Sequence, residues 1–248
     1  MTKARNFKLK IEYDGSAYHG WQRQNHNRTV QGEIEAVIKI ITREDVELIG
    51  SGRTDTGVHA RGQVANFLSH TNHSIETIQK GMNSLLPDDI VIREMMETAL
   101  SFHSQFAAKR KTYRYHIRNA DLPSAIDRRY EWFIRRALNE SDMDEAASFL
   151  VGSHDFKSFE TVGSPRTHTI RTVSKAGMAK PDPTHLIFEI EANGFLRHMV
   201  RNIMGTLVEV GLGRISIERF REILLARDRR AAGATAPPQG LFLMQVEY

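Results

Sequence analysis

The sequence predicts an α/β (α+β) protein. Phe7 to Tyr13 alternates apolar and polar residues without a break, which is the pattern of a half-buried strand. Apolar residues after Thr29, and again after Gly194, recur at helical spacing. The two patterns then exchange repeatedly along the chain. With 248 residues the protein is long enough for one large domain or two small ones, and 40% apolar with 26% charged residues can supply a core.

The elements read in order as follows. Phe7–Tyr13 forms the first strand, ended by the turn residues Asp14-Gly15-Ser16. Thr29 caps a helix whose apolar side is Val30, Ile34, Val37, Ile38 and Ile41. Val46–Ile49 is a short strand leading into a glycine-punctuated loop, and Val64–Leu68 is the next strand. A helix over Ile75–Met82, a strand over Ile90–Arg93 and a strand over Thr112–Arg118 follow. On the last, Tyr113, Tyr115 and Ile117 share one side, Arg114 and His116 the other. The segment 119–129, with Pro123, joins an N-terminal half (1–118) to a C-terminal half (130–248). In the second half Ser141 and Asp144 resemble a capping box for a helix running to Leu150. Thr169–Lys175 and Leu186–Glu191 read as strands. The longest helical signal is Leu196, Met199, Val200, Ile203, Met204, Leu207 and Val208. A shorter helix begins after Ser216, and Leu241–Val246 closes the chain as a buried strand. The halves resemble each other in element order but not in sequence.

Composition removes several function classes. The absence of cysteine excludes disulfides, thiolate zinc sites and cysteine nucleophiles. No run of about 18 apolar residues is present, so no membrane span is expected. The polar start Met1–Asn6 has no apolar signal region behind it, which makes the cytoplasm the expected location. A net charge of +4 does not identify a partner, but Lys109-Arg110-Lys111 with Arg114, and Arg227, Arg229 and Arg230, are clusters that suit phosphates.

Three constellations could carry chemistry. The loop Gly50–Ala60 has glycines at 50, 52 and 57 around Arg53 and Asp55. A carboxylate held on such a turn can act as nucleophile or base, and it can equally be an ordinary turn-former. No P-loop sequence is present, Gly57 opposes a helical Asp55/His59 metal pair, and no nucleophile elbow surrounds Ser51. Arg197 and Arg201, four apart, lie on one flank of the long helix. An arginine at that boundary either grips a carboxylate with its fork or snorkels into water. Tyr113 and Tyr115, beside a basic run, form either a base-stacking surface or core packing.

At this point the residues resemble a known family. Ser51-Gly52-Arg53-Thr54-Asp55-Thr56-Gly57-Val58-His59-Ala60 is similar to the signature of TruA-type tRNA pseudouridine synthases. Tyr13-Asp14-Gly15, Gly20-Trp21-Gln22-Arg23-Gln24 and Thr29-Val30-Gln31 match the family's opening. Asn83–Ile90 and Lys111–Tyr115 match its middle; His154–Phe159, His198–Asn202 and Thr235-Ala236-Pro237 with Gly240-Leu241 match its C-terminal half. Pro238 stands where the family's Thr-Ala-Pro-Ala has its last alanine.

The resemblance implies two similar halves sharing one long, mostly antiparallel sheet with the active-site cleft between them. It implies a homodimer acting on uridines 38, 39 and 40 in the anticodon arm of tRNA, with no cofactor and no catalytic metal. Asp55 takes the catalytic place, Arg201 is its carboxylate partner, Tyr113 contacts the substrate, and Arg53 helps displace the target base. An arginine beside Asp55 would keep the carboxylate ionised in a desolvated pocket. The target uridine must leave its stack to be reached. Two other classes are open at this level: a catalytically silent tRNA-binding protein of the same fold, and a metal-dependent nuclease using Asp55 and His59.

Overall fold

The computed structural model describes residues 3–161, 163 and 168–248. Ten strands and five α-helices are found among them, so the mixed α/β class is as the sequence predicts. The chain divides into two compact units, one of Met1–Lys109 with Leu243–Tyr248 and one of Arg110–Phe242. The Tyr113 strand thus belongs to the second unit, and the last six residues belong to the first.

In the first unit, β1 (Arg5–Tyr13) is the centre. It pairs antiparallel with β3 (His59–Ser69) on one side and β4 (Ile90–Thr98) on the other. The alternation in the sequence becomes two faces. Phe7, Leu9, Ile11 and Tyr13 are buried, and Phe7 stacks on its register partner Phe67 at 5.2 Å. Each such side chain contributes about 1.5–3 kcal/mol by leaving water. The helices α1 (Val30–Thr42) and α2 (Ile75–Leu85) add Ile34, Ile38, Ile78 and Met82 to the core. Thr29 caps α1 as expected, accepting from Gly32 N–H.

One strand is shorter than the sequence reading. The pairing of β2 covers only Ile49–Gly50. Leu48 N–H donates to Glu35 Oε1 and Leu48 C=O accepts from Gln31 Nε2, both 3.0 Å. These buried α1 side chains replace the ladder that Val46–Leu48 would otherwise form.

In the second unit, β5 (Arg110–Asn119) pairs antiparallel with β9 (His185–Ala192), β9 with β8 (Ile170–Asp182), and β8 with β7 (Gly152–Asp155). A short β6 (Trp132–Ile134), not read from the sequence, runs parallel to β5. Tyr115, Ile117, Phe188 and Ile190 fill the core with side chains from α3 (Glu140–Ser148), α4 (Met199–Gly211) and α5 (Ile217–Ala226). The chain closes with β10 (Leu241–Glu247), which lies beside β3 through its first-unit residues.

Three boundaries differ from expectation. The cap of α3 is Asn139, whose side chain accepts from Asp142 N–H at 3.3 Å, and not Ser141. Asp144, the other half of the expected box, instead accepts from Met178 N–H at 2.7 Å. Strand β8 runs on to Asp182, past the point where Pro181 and Pro183 obscure the pattern. Asp182 accepts from the Thr184 N–H and hydroxyl and closes the hairpin to β9. Helix α4 starts at Met199, three residues after Leu196, because His198 has φ +60° and cannot sit inside a right-handed helix.

Glu131, just before β6, is buried, and its Oε1 has no hydrogen-bond partner among the described residues. Burial raises its pKa, against the pull of His185 (Nε2 3.2 Å from Oε2) and Arg118 (Nε 3.9 Å from Oε1). A carboxyl with a raised folded-state pKa binds its proton more tightly when folded. The stability linked to it is therefore full below the ordinary pKa of 4.5 and is lost as pH rises through the folded value. Glu131→Gln is expected to raise stability at pH 7 by about 1 kcal/mol. The gain should shrink when urea unfolding is repeated below pH 4.5. A less stable variant at pH 7 would show that the ion pairs outweigh the burial.

No helix among the described residues is long and apolar enough to cross a membrane.

Candidate active site

Asp55 stands on a four-residue turn, Asp55-Thr56-Gly57-Val58, closed by Val58 N–H donating to Asp55 C=O at 3.1 Å. The third position needs a positive φ, and Gly57 supplies it at +77° without steric cost. Asp55 is half-buried; Arg53 and Thr56 beside it are exposed.

Both flanks of this turn are fixed. On the N-terminal side, buried Ser51 donates to Gln63 Oε1 at 2.7 Å, and Gln63 Nε2 donates to Gly52 C=O at 2.9 Å. Thr54 is bonded twice. Its hydroxyl meets Tyr13 OH at 2.7 Å, and its carbonyl accepts from Trp21 N–H at 3.1 Å. On the C-terminal side, buried His59 accepts from Gly15 N–H on Nδ1 at 3.0 Å. This imidazole, whose Nδ1 also lies 3.0 Å from Asp14 Oδ1, ties β3 to the turn after β1. Tyr18 OH donates to Asp89, with Arg28 over the Tyr18 ring at 4.5 Å, which pins the segment carrying Trp21. A polar residue is thus held half-exposed by neighbours that are themselves buried and paired. That is the arrangement a reacting group requires, since its geometry is set before substrate arrives.

The second unit holds Tyr113 and Arg201. Tyr113 is buried on β5, opposite Ile190, with Phe195 edge-on at 4.9 Å. Tyr115, two residues on, is core. Its hydroxyl donates to Pro237 C=O at 2.7 Å, and burial raises its pKa despite nearby Arg201. Arg201 and Glu209 are the residues of α4 that are not fully buried. Arg201 Nε donates to Ala236 C=O at 2.8 Å, and Ala236 N–H donates to Arg201 C=O at 3.1 Å.

The segment around Ala236 is strapped to α4 at further points. Asn202 Oδ1 accepts from Thr235 Oγ1 at 2.7 Å and from Arg229 at 3.1 Å. A Cβ on Gly205 would fall on the Ala234 carbonyl oxygen, so only glycine lets the strap lie this close. The guanidinium is therefore oriented through Nε, and an arginine's end-on pair of nitrogens has the spacing that matches the two oxygens of a carboxylate. Arg197 does not share this position. It precedes α4, is exposed, and its carbonyl accepts from Thr161 N–H.

Asp55 and Arg53 thus belong to the first unit, Tyr113 and Arg201 to the second. Residues that brace the loop (Tyr13, Tyr18, Gln63, Asp89) had no role assigned from sequence. Tyr13 and Asp89 lie inside recognisable motifs, whereas Gln63 gives no signal, since a strand residue's polar contacts depend on the fold.

A model of the tRNA pseudouridine synthase family matches residues 10–107 and 146–248. The chain belongs to this family. The family's tRNA pseudouridine synthase A from Thermoanaerobacter sp. (strain X514) is 48% identical over 244 residues, covering 98% of this chain and all of that protein. Proteins of the same name from Acetivibrio thermocellus and Moorella thermoacetica are both 46% identical, over 98% and 97% of this chain and 100% and 98% of theirs. Such coverage spans both units.

Proposed function

We propose that this protein converts uridine to pseudouridine in tRNA, at positions 38, 39 and 40 of the anticodon arm, as a cytoplasmic homodimer. The observation that carries the reading is the Asp55 turn, a half-exposed carboxylate on a backbone fixed from both flanks, in a chain of this family.

The chemistry suits that group. The C1′–N1 glycosidic bond breaks, the uracil rotates, and a C1′–C5 bond forms. The proton on C5 leaves and N1 gains one, so the product is an isomer and no electrons are exchanged. The reaction needs no cofactor. It needs an ionised carboxylate near C1′ and exclusion of water, which would trap the cleaved ribose. Asp55 supplies the carboxylate. Arg201 holds that carboxylate in one orientation through its end-on nitrogens. Tyr113 meets the target base, and Arg53, exposed on the same loop, occupies the place the base leaves when it flips.

The test is a pseudouridine map of unmodified tRNA incubated with the pure protein, together with tritium release from C5-labelled tRNA. Pseudouridine confined to positions 38–40, with matching release, is expected. Binding of tRNA with no tritium release would make the protein a silent binder and end the enzymatic reading.

A further inference from the structure

The segment 99–109 leaves β4 and crosses the first unit without regular structure, yet it is fixed. Asn6 Nδ2 donates to the carbonyls of Ala99 and Phe102 at 2.9 and 3.0 Å. Ser104 N–H donates to Asn66 at 2.8 Å, and Ser104 C=O accepts from Tyr248 OH at 2.9 Å. Lys109 N–H donates to Glu247 C=O at 2.8 Å. The chain turns twice here, with Phe102 N–H on Ala99 C=O and Ala107 N–H on His103 C=O, both at 2.9 Å. His103 Nδ1 accepts from Gln105 N–H and Phe106 N–H, so its ring is locked to the turn. Phe106 stacks on that ring, centroids 4.2 Å apart and planes 26° apart.

Phe106 is 79% exposed. One face rests on His103; the other is open. Scattered exposed apolar residues are ordinary. This one differs because it is aromatic, oriented by a second ring and carried on a fixed turn. Its surroundings along the chain are also one-sided. No acidic residue occurs between Glu97 and Lys109, which is itself basic. A flat π face held in a fixed orientation is the chemistry that takes an unpaired nucleobase, by stacking it.

We propose that the His103–Phe106 pair is a stacking platform for an unpaired base of the RNA substrate, separate from the Asp55 turn. This rests on the reading of tRNA as substrate. It assigns to Phe106 a binding role that places the RNA and takes no part in bond exchange.

The experiment compares wild type, Phe106→Ala, Phe106→Trp and His103→Ala for tRNA affinity at several salt concentrations, for kcat and KM, and for sedimentation. Phe106→Ala is expected to weaken tRNA binding about tenfold, from the energy of one stacked base. The loss should fall on Kd and KM more than on kcat. The slope of log Kd against log salt should not change, because no phosphate contact is removed. Phe106→Trp should restore most of the affinity, and His103→Ala should lose part of it. Wild-type affinity in Phe106→Ala, a tryptophan variant as weak as alanine, or a change in oligomeric state would overturn the platform. The last would place Phe106 against protein. Wild-type protein that fails to modify tRNA would instead strike the function itself, and that control is run first.

Discussion

Asp55→Asn is expected to lower the rate of pseudouridine formation by at least about 10⁴-fold, the scale seen when a reacting side chain is removed. Asparagine keeps the shape, so the Asp55-Thr56-Gly57-Val58 turn can close as before through its backbone. What is lost is the anionic oxygen. An amide cannot serve as nucleophile or base at C1′, and neighbours cannot substitute, since Arg53 and Thr56 carry no carboxylate and His59 is buried in its bond to Gly15. Affinity for tRNA should stay within a few-fold of wild type or rise slightly, because a negative charge facing a polyanion is gone. The urea midpoint should not move, since the side chain is half-exposed and the loop's bracing comes from Ser51, Thr54, Gln63 and His59. The measurement is single-turnover conversion of tRNA beside filter binding of the same variant. Conversion at the wild-type rate would remove Asp55 from the chemistry. Loss of binding in step with activity would turn it into an architectural residue.

Much of the fold was legible because local pattern and tertiary burial agree. Phe7 to Tyr13 alternates in sequence and in burial, and Thr29 caps α1 with the side chain that the sequence offers. Disagreements arise where a distant group takes over a backbone bond. Leu48 leaves its ladder because Glu35 and Gln31 reach it from α1. Ser141 loses the cap to Asn139, whose own N–H is held by Gly211 C=O at 2.8 Å. His198 ends the helical run in a left-handed conformation that no periodicity reveals, and this separates Arg197 from Arg201. The Asp55 loop was legible in another way. Its glycines and Asp55 are consistent with any turn, and only a long motif distinguishes it. The residues that hold it gave less. Thr54 and Tyr13 meet across 41 positions, and Tyr18 and Asp89 across 71, so their pairing is a property of the sheet.

Arg201→Lys is expected to reduce kcat by about 10²-fold, the order of loss that follows from misplacing a catalytic group by about 1 Å. Arginine here does two jobs with one planar group. Nε is fixed by Ala236 C=O, and in the proposed role the terminal nitrogens are what grips the carboxylate of Asp55. Lysine carries the same charge on a single atom at the end of a flexible chain. It can reach Ala236 or a carboxylate, but it cannot hold one while presenting two parallel donors to the other. Charge alone is preserved, so an arginine that served only as a phosphate contact would tolerate the change. Its loss would then appear in Kd for tRNA and in the salt slope, with kcat intact. An orienting role gives the opposite split, with kcat low and tRNA affinity within a few-fold of wild type. The strap provides the structural control, because Asn202, Thr235 and Arg229 still bind one another in the variant and should keep the urea midpoint close to that of wild type. Near-normal turnover in Arg201→Lys would take away the orienting role and leave Asp55 to act without it.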